Sequence, residues 1–239
     1  MNKLRLVVIL ITLVLISGLV LIGCSKEESS AGSGSADTKQ VESASTTEVN
    51  PVEEAALAYF SDFPGNRMIT TEDVLSEIDA EKDILILDIR RAEDYQAGHL
   101  KGAVNAPWGP AIADALEWLP DDIPVYVNCY SGQTAGQAVA VLNVAGIQAK
   151  SIRYGWNLGI SKTEGYEAYT ETDTVPSPEA SGVKYNPDIR AAAEKYFNAI
   201  PDKGSNIWPA SKVKEALDAE EDIFILSIRQ PDAYAEGHI

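Results

Sequence analysis

The residue types best suited to nucleophilic or metal chemistry are scarce in this chain of 239 residues: two cysteines, Cys24 and Cys129, and two histidines, His99 and His238. They lie far apart. That excludes a disulfide-rich scaffold and the grouped ligand spacing of a structural zinc site. Cys129 has the most informative surroundings. It follows Val125-Tyr126-Val127-Asn128 and precedes Tyr130-Ser131-Gly132-Gln133-Thr134, a short polar stretch centred on a glycine. In a tight loop of this kind, successive backbone N–H groups can converge and form an anion nest. A helix beginning at Gln133 adds the partial positive charge of its N-terminus. Both effects favour thiolate over thiol, and the thiolate is the nucleophile. A buried cysteine that only packs is the other reading of the same position, since free cysteine is among the most buried residue types.

The segments that must position Cys129 read as alternating helices and strands. Asn50-Pro51 opens a short helix over residues 52–60, and Thr70 to Asp73 cap a second helix running through Ile78. Ile84–Ile89 is an apolar run expected of a strand buried on both faces. Gly109-Pro110 opens a helix over 111–119, and a second buried strand covers 124–128. The spacing of small apolar residues predicts a helix over 133–145, stopped by Gly146, and a third strand over 148–153. The pattern implies an α/β domain with a mostly parallel central sheet flanked by helices. Sites in such sheets lie beyond the carboxyl ends of the strands, which is where Cys129 falls.

Taken together, Asp88-Ile89-Arg90, Glu93, Tyr95, Gly98-His99-Leu100, Gly102-Ala103, Asn105 and Pro107, followed by Cys129-Tyr130-Ser131-Gly132-Gln133-Thr134, resemble a rhodanese domain. Gly155-Trp156 is similar to the family's weaker closing signature, with looser spacing. The resemblance covers residues 51–172. It implies a sulfurtransferase cycle with Cys129 as the catalytic residue and Tyr130, Ser131, Gly132, Gln133 and Thr134 as the active-site loop. Cys129 takes sulfane sulfur from thiosulfate, a persulfide or a polysulfide, and passes it from a Cys129 persulfide to a thiol or to cyanide. The thiol acceptor is a small molecule or a protein. No cofactor, metal or nucleic-acid partner is implied. The resemblance assigns Asp88 and Arg90 to shaping and bracing the site, and His99 to fixing a turn by hydrogen bonding rather than to general-base work. Arg153, near the end of the third strand, faces either the site or solvent.

The loop departs from the family pattern in one respect. Many thiosulfate-using members carry Arg or Lys within it, whereas residues 130–134 have no charged side chain. An uncharged or protein-bound sulfur donor then fits better than thiosulfate. The related dual-specificity phosphatases need a longer loop with Arg six positions after the cysteine; Ala135 stands there. Two rivals remain open: a non-catalytic rhodanese-fold binding or sensing module, and a thiol-redox protein whose Cys129 forms mixed disulfides.

Residues 1–23 read as an address. Lys3 and Arg5 precede an apolar run from Leu6 to Ile22, and Leu21-Ile22-Gly23-Cys24 resembles the lipobox of bacterial lipoproteins. The resemblance implies a signal peptide over 1–23, lipidation of Cys24, and attachment to the extracytoplasmic face of the bacterial cell membrane. An uncleaved anchor and an ordinary secretory signal are the alternatives. Residues 24–50, rich in Ser, Glu and Thr, read as a flexible tether.

The body of the chain contains a repeat. Residues 83–100 and 222–239 are identical at nine of eighteen positions, and His99 and His238 occupy the same place in the two. Tyr59-Phe60 and Pro64 match Tyr196-Phe197 and Pro201. The expected organisation is a first domain over 51–172, a linker over 173–183 and the N-terminal half of a second copy over 184–239. Ile223–Ile228 is its expected strand. The counterpart of Cys129 would fall beyond Ile239, so the sequence reads as a fragment of a longer tandem protein. In this copy Ser227 replaces Asp88 while Arg229 matches Arg90, which points to a degenerate second site. Composition agrees with a globular body: 45% hydrophobic and 23% charged. With 19 basic against 36 acidic residues the net charge is -17, which disfavours nucleic acid and anionic lipid surfaces as partners.

Overall fold

The computed structural model describes residues 50–61 and 65–239. The leader, Cys24 and the tether through residue 49 lie outside the described residues. Among those described, no helix is long and apolar enough to cross a membrane.

Helix α1 spans Pro51–Ser61. Strand β1, Met68–Ile69, leads into α2, Thr71–Asp79. The Thr70 side chain accepts a hydrogen bond from the Asp73 N–H and caps α2 as its sequence predicts. Next come β2 (Leu85–Asp88), α3 (Ala92–Gln96), β3 (His99–Leu100), β4 (Val104–Asn105) and α4 (Pro110–Ala115). Then come β5 (Val125–Asn128), α5 (Gln133–Val144), β6 (Ala149–Ile152), α6 (Gly155–Leu158) and β7 (Thr170–Glu171). The main sheet has the order β1-β6-β5-β2-β4, and every neighbouring pair in it is parallel. A separate antiparallel pair joins β3 to β7. The expected α/β fold with a mostly parallel sheet is thus present, and β5 is its central strand.

Burial explains the continuous apolar strands. Side chains alternate across the sheet: Leu87, Val125 and Val127 pack with Ile112, Leu116 and Leu142 on one face, while Ile86 and Tyr126 pack with Val74, Leu75 and Ile160 on the other. Helices cover both faces, so neither face of β2 or β5 is polar. The helix expected over 111–119 ends at Ala115; Leu116 and Leu119 are fully buried but lie in the turn and irregular chain that follow.

The region after residue 172 divides in two. Residues 173–186 carry no regular structure, yet they are tied down: the Val175 N–H donates to the Tyr95 hydroxyl at 3.2 Å and the Ser181 N–H to the Glu117 carbonyl at 3.1 Å. Helix α7, Pro187–Asn198, is capped by the Asn186 side chain, which accepts from the Asp188 and Ile189 N–H groups. It packs on the core face that carries α4 and α5. Phe197 is fully buried edge-on to Trp108, and the Tyr196 hydroxyl donates to Gln137 at 3.0 Å.

Helices α8 (Ile200–Lys203), α9 (Ala210–Asp218) and α10 (Pro231–Glu236) complete the described elements. The strand expected at Ile223–Ile228 does not form. No other segment among the described residues offers it ladder hydrogen bonds, and Phe224 and Ile228 are 89% and 90% exposed. Local geometry nevertheless repeats. Tyr234 stacks on His238 at 3.7 Å, as Tyr95 stacks on His99 at 3.6 Å. Arg229 donates to the Gly237 carbonyl, as Arg90 does to that of Gly98.

Candidate active site

Cys129 begins where β5 ends, at the carboxyl edge of the sheet. The loop then turns through Gly132, whose φ of 88° lies in the left-handed region, and enters α5 at Gln133. The Gly136 N–H bonds back to the Gly132 carbonyl at 2.9 Å and closes the first helical turn. The Gly132 and Ala135 N–H groups donate to Cys129 Sγ at 3.1 and 3.4 Å. Partial positive charge from two amides and a helix N-terminus therefore meets at one sulfur, an arrangement able to hold an anionic sulfur without a charged side chain. Cys129 itself is 1% exposed.

The remaining loop residues separate into a brace and a rim. The Tyr130 hydroxyl turns away to α3: it accepts from the Arg91 N–H at 3.1 Å and Arg91 Nε at 3.3 Å, and donates to Asp94. That hydrogen bond holds the Asp94 carboxyl below its ordinary range against the opposing effect of burial, with Arg91 adding to the lowering. Ser131 Oγ donates to Gln133 Oε1 at 3.2 Å within the loop. Thr134 lies in the first turn of α5.

A second tie holds the loop from the β6 side. The Trp156 N–H donates to the Cys129 carbonyl at 2.7 Å and the Asn157 N–H to the Tyr130 carbonyl at 2.9 Å. Only glycine fits at the start of α6. A Cβ on Gly155 would lie 2.3 Å from the Cys129 carbonyl oxygen.

Asp88 and Arg90 are placed together and brace the frame beneath. Both are buried; Arg90 Nη2 donates to Asp88 Oδ2 at 2.7 Å and to the Gly98 carbonyl at 2.7 Å. Asn128 Nδ2 donates to the same carboxylate at 3.0 Å, which links the strand bearing Cys129 to the pair. Trp156 covers the Arg90 guanidinium at 4.0 Å. Asn105 Nδ2 bonds the carbonyls of Asp88 and Arg90 at 2.8 and 3.0 Å. The buried charges thus have several partners each, as burial of an ion pair demands.

His99 belongs to another corner. Its Nδ1 donates to the Tyr95 carbonyl at 2.8 Å, its ring stacks on Tyr95, and Nε2 faces Glu171 at 3.7 Å. None of these contacts involves the Cys129 loop. Sequence reasoning missed the parts played by Asn128, Tyr130 and Trp156. The Arg91/Asp94 pair three residues apart was the one readable signal for the Tyr130 brace. Among the described residues, no group of three His, Cys, Asp or Glu side chains is placed to hold a metal ion.

Comparison with known proteins agrees with this geometry. The family model for the rhodanese-like domain matches residues 70–169. The chain is similar to YrkF of Bacillus subtilis, 29% identical over 80 residues, covering 34% of this chain and 43% of the relative. It is also similar to the thiosulfate sulfurtransferase GlpE of Pseudomonas fluorescens, 37% identical over 62 residues, covering 26% of this chain and 56% of the relative. The chain therefore spans about half the length of these curated relatives. Among solved structures, the rhodanese-like domain protein of Staphylococcus aureus is 26% identical and covers 41% of this chain and 93% of its own, with a TM-score of 0.37. Residues 70–169, which contain Cys129 and the loop around it, are a rhodanese-like domain with sulfurtransferase relatives.

Proposed function

We propose that this domain is a sulfurtransferase that carries sulfane sulfur as a Cys129 persulfide. The observation that carries the reading is the pair of backbone N–H groups directed at Cys129 Sγ at the end of the central strand. The Cys129 thiolate attacks the outer sulfur of the donor. A new S–S bond forms, the donor's bond to that sulfur breaks, and the leaving group departs with the electron pair as sulfite from thiosulfate, a thiolate from a persulfide, or a shortened polysulfide or hydrosulfide from a polysulfide. An acceptor thiolate, or cyanide, then attacks the outer sulfur. The Cys129–S bond breaks, and Cys129 recovers its thiolate. Backbone amides hold negative charge on sulfur at each stage.

The uncharged loop and the acidic chain favour an uncharged or protein-bound sulfur donor over thiosulfate. The near-complete burial of Cys129 is the one feature that favours the binding-module reading instead. The lipobox-like sequence supports anchoring through a lipidated Cys24 on the extracytoplasmic face of the membrane, with residues 24–50 as tether. The repeated sequence and local geometry support a second copy of the pattern over residues 184–239.

Sulfur transfer to cyanide by the full chain, with thiosulfate and a polysulfide as alternative donors, tests the reading. Turnover abolished by Cys129→Ser supports it. A Cys129 that reacts with iodoacetamide while no donor gives turnover contradicts it and favours the module. For the anchor, Cys24→Ala is expected to move the protein from the membrane to the soluble fraction.

A further inference from the structure

Cys129 is the nucleophile of the proposed reaction, yet it is almost wholly buried. Its side chain belongs to the core cluster on the face that carries α4, α5 and α7, so its cover lies on that side. At the carboxyl edge of the sheet the Ile89 N–H donates to the Asn128 carbonyl at 2.8 Å, and the Trp108 N–H donates to the Ile89 carbonyl at 3.0 Å. Trp108 and Cys129 therefore flank Ile89 at that edge. The end of α7 reaches the same place. Phe197 is fully buried with its ring 6.0 Å from that of Trp108, and the Tyr196 ring is 6.4 Å from it, both edge-on. A Cβ on Gly109, the next residue, would lie 3.8 Å from Ile200 at the start of α8. On the other flank the Tyr196 hydroxyl bonds Gln137, one turn into α5 from Gln133. The contact thus runs from Trp108 to α5, with Ile89 and Cys129 in the cluster beneath it.

This contact is closed but incompletely satisfied. The Trp108 Nε1–H is buried in it without a hydrogen-bond partner. So is the hydroxyl of Tyr185, two residues before α7, whose ring packs on the same cluster. Burial of Phe197 favours the closed contact, whereas two unpaired polar groups cost free energy that opening to water returns. The other ties of α7 are weak or few. Arg190 meets Glu117 at 3.1 Å in a partly exposed ion pair, and residues 173–186 join the helix to the domain without regular structure. The helix is also no fixed part of the fold pattern. Its counterpart in the repeated sequence, α1, carries the matching Tyr59-Phe60, yet Phe60 is 69% exposed and α1 has no buried residue.

We propose that the end of α7 and the start of α8 form a gate over Cys129, an autoinhibitory contact that lifts from Trp108 before the thiol meets another molecule. The inference rests on the sulfurtransferase reading for what then enters, while the gate itself concerns only access to the thiol. Lifting exposes Phe197 and hydrates Trp108 Nε1 and the Tyr185 hydroxyl, so the closed and open arrangements differ by opposing terms within one contact. The rest of the domain keeps its sheet, because α2 and the other face of the sheet have no part in the contact.

The rate at which iodoacetamide alkylates Cys129 in the native full chain, followed by intact mass, tests the gate. Cys24→Ser in every protein leaves Cys129 as its only thiol. Wild-type Cys129 is expected to alkylate far more slowly than free cysteine. Phe197→Ala should raise the rate by about tenfold or more, and Tyr196→Phe by about threefold. Tyr196→Phe keeps the ring and loses one hydrogen bond, so it reads the gate in a folded protein. Val74→Ala, a cavity on the opposite face of the sheet, lowers overall stability without touching α7 and should leave the rate unchanged. Polysulfide loading of Cys129 should follow the same order. A wild-type rate equal to that of free cysteine, or a rate in Tyr196→Phe and Phe197→Ala no higher than wild type, would overturn the gate. So would a rise in Val74→Ala equal to that in Phe197→Ala, because global unfolding would then expose the thiol. Alkylation that follows the expected order in proteins that never load would keep the gate and overturn the sulfurtransferase reading.

Discussion

Gly155 and Tyr130 decide, from opposite sides, whether the Cys129 loop keeps its shape. At Gly155 a side chain has no room, and its φ of 60° adds strain for any other residue. Gly155→Ala is expected to cost about 3 kcal/mol of stability, measured by urea unfolding, and to abolish sulfur loading. Tyr130 acts through a single hydroxyl. Tyr130→Phe should cost about 1 kcal/mol and slow persulfide formation several-fold, with unchanged secondary structure by circular dichroism. Cys129 and its glycine-centred loop were legible in the sequence, because a strand followed by a short polar loop and a helix leaves few other geometries. The conformation of Tyr154, with a φ of 65°, was not, since a positive φ on a tyrosine has no signature in residue type. Tyr130 was legible as a loop residue, but its outward turn toward Arg91 and Asp94 depends on a contact across 39 positions of chain.

Among the elements, the strands and helices with strong patterns lie close to where the sequence puts them, with ends displaced by a few residues. Short pieces were invisible: β1, β3, β4 and β7 have two residues each, too few for any period to register. The apolar run Ile223–Ile228 shows the converse. Its pattern matches β2, but pattern alone does not make a strand where no neighbour supplies hydrogen bonds. Helix α7 carries the clearest energetic prediction. Its Phe197 is fully buried beside Trp108 and joins the core of the sheet. Phe197→Ala should therefore lower the unfolding free energy by about 3–5 kcal/mol. A loss below about 1 kcal/mol in urea unfolding would show that α7 is not part of that core.

For the whole molecule, stability should fall on the alkaline side. Burial, with the Glu77 carboxylate 2.6 Å from its hydroxyl, pushes Tyr126 well above the ordinary phenol value. Burial also pushes Tyr185 up to about 12, with Arg190 opposing and Asp121 and Glu117 adding; its hydroxyl is buried without a hydrogen-bond partner. Both folded-state values are raised, so the fold favours the neutral phenols. Their contribution is complete below pH 10 and is lost as the pH rises through the folded values. Urea midpoints measured between pH 8 and 12 should fall above pH 10, and Tyr185→Phe should flatten part of that fall. A midpoint unchanged across this range would contradict it.

Sulfur carriage by Cys129 is tested most directly by the mass of the intact full chain before and after polysulfide, with Cys129→Ser alongside. The predicted result is a gain of one sulfur atom that cyanide removes and that the serine variant lacks. No gain with either polysulfide or thiosulfate, on a protein whose Cys129 still alkylates, would contradict it.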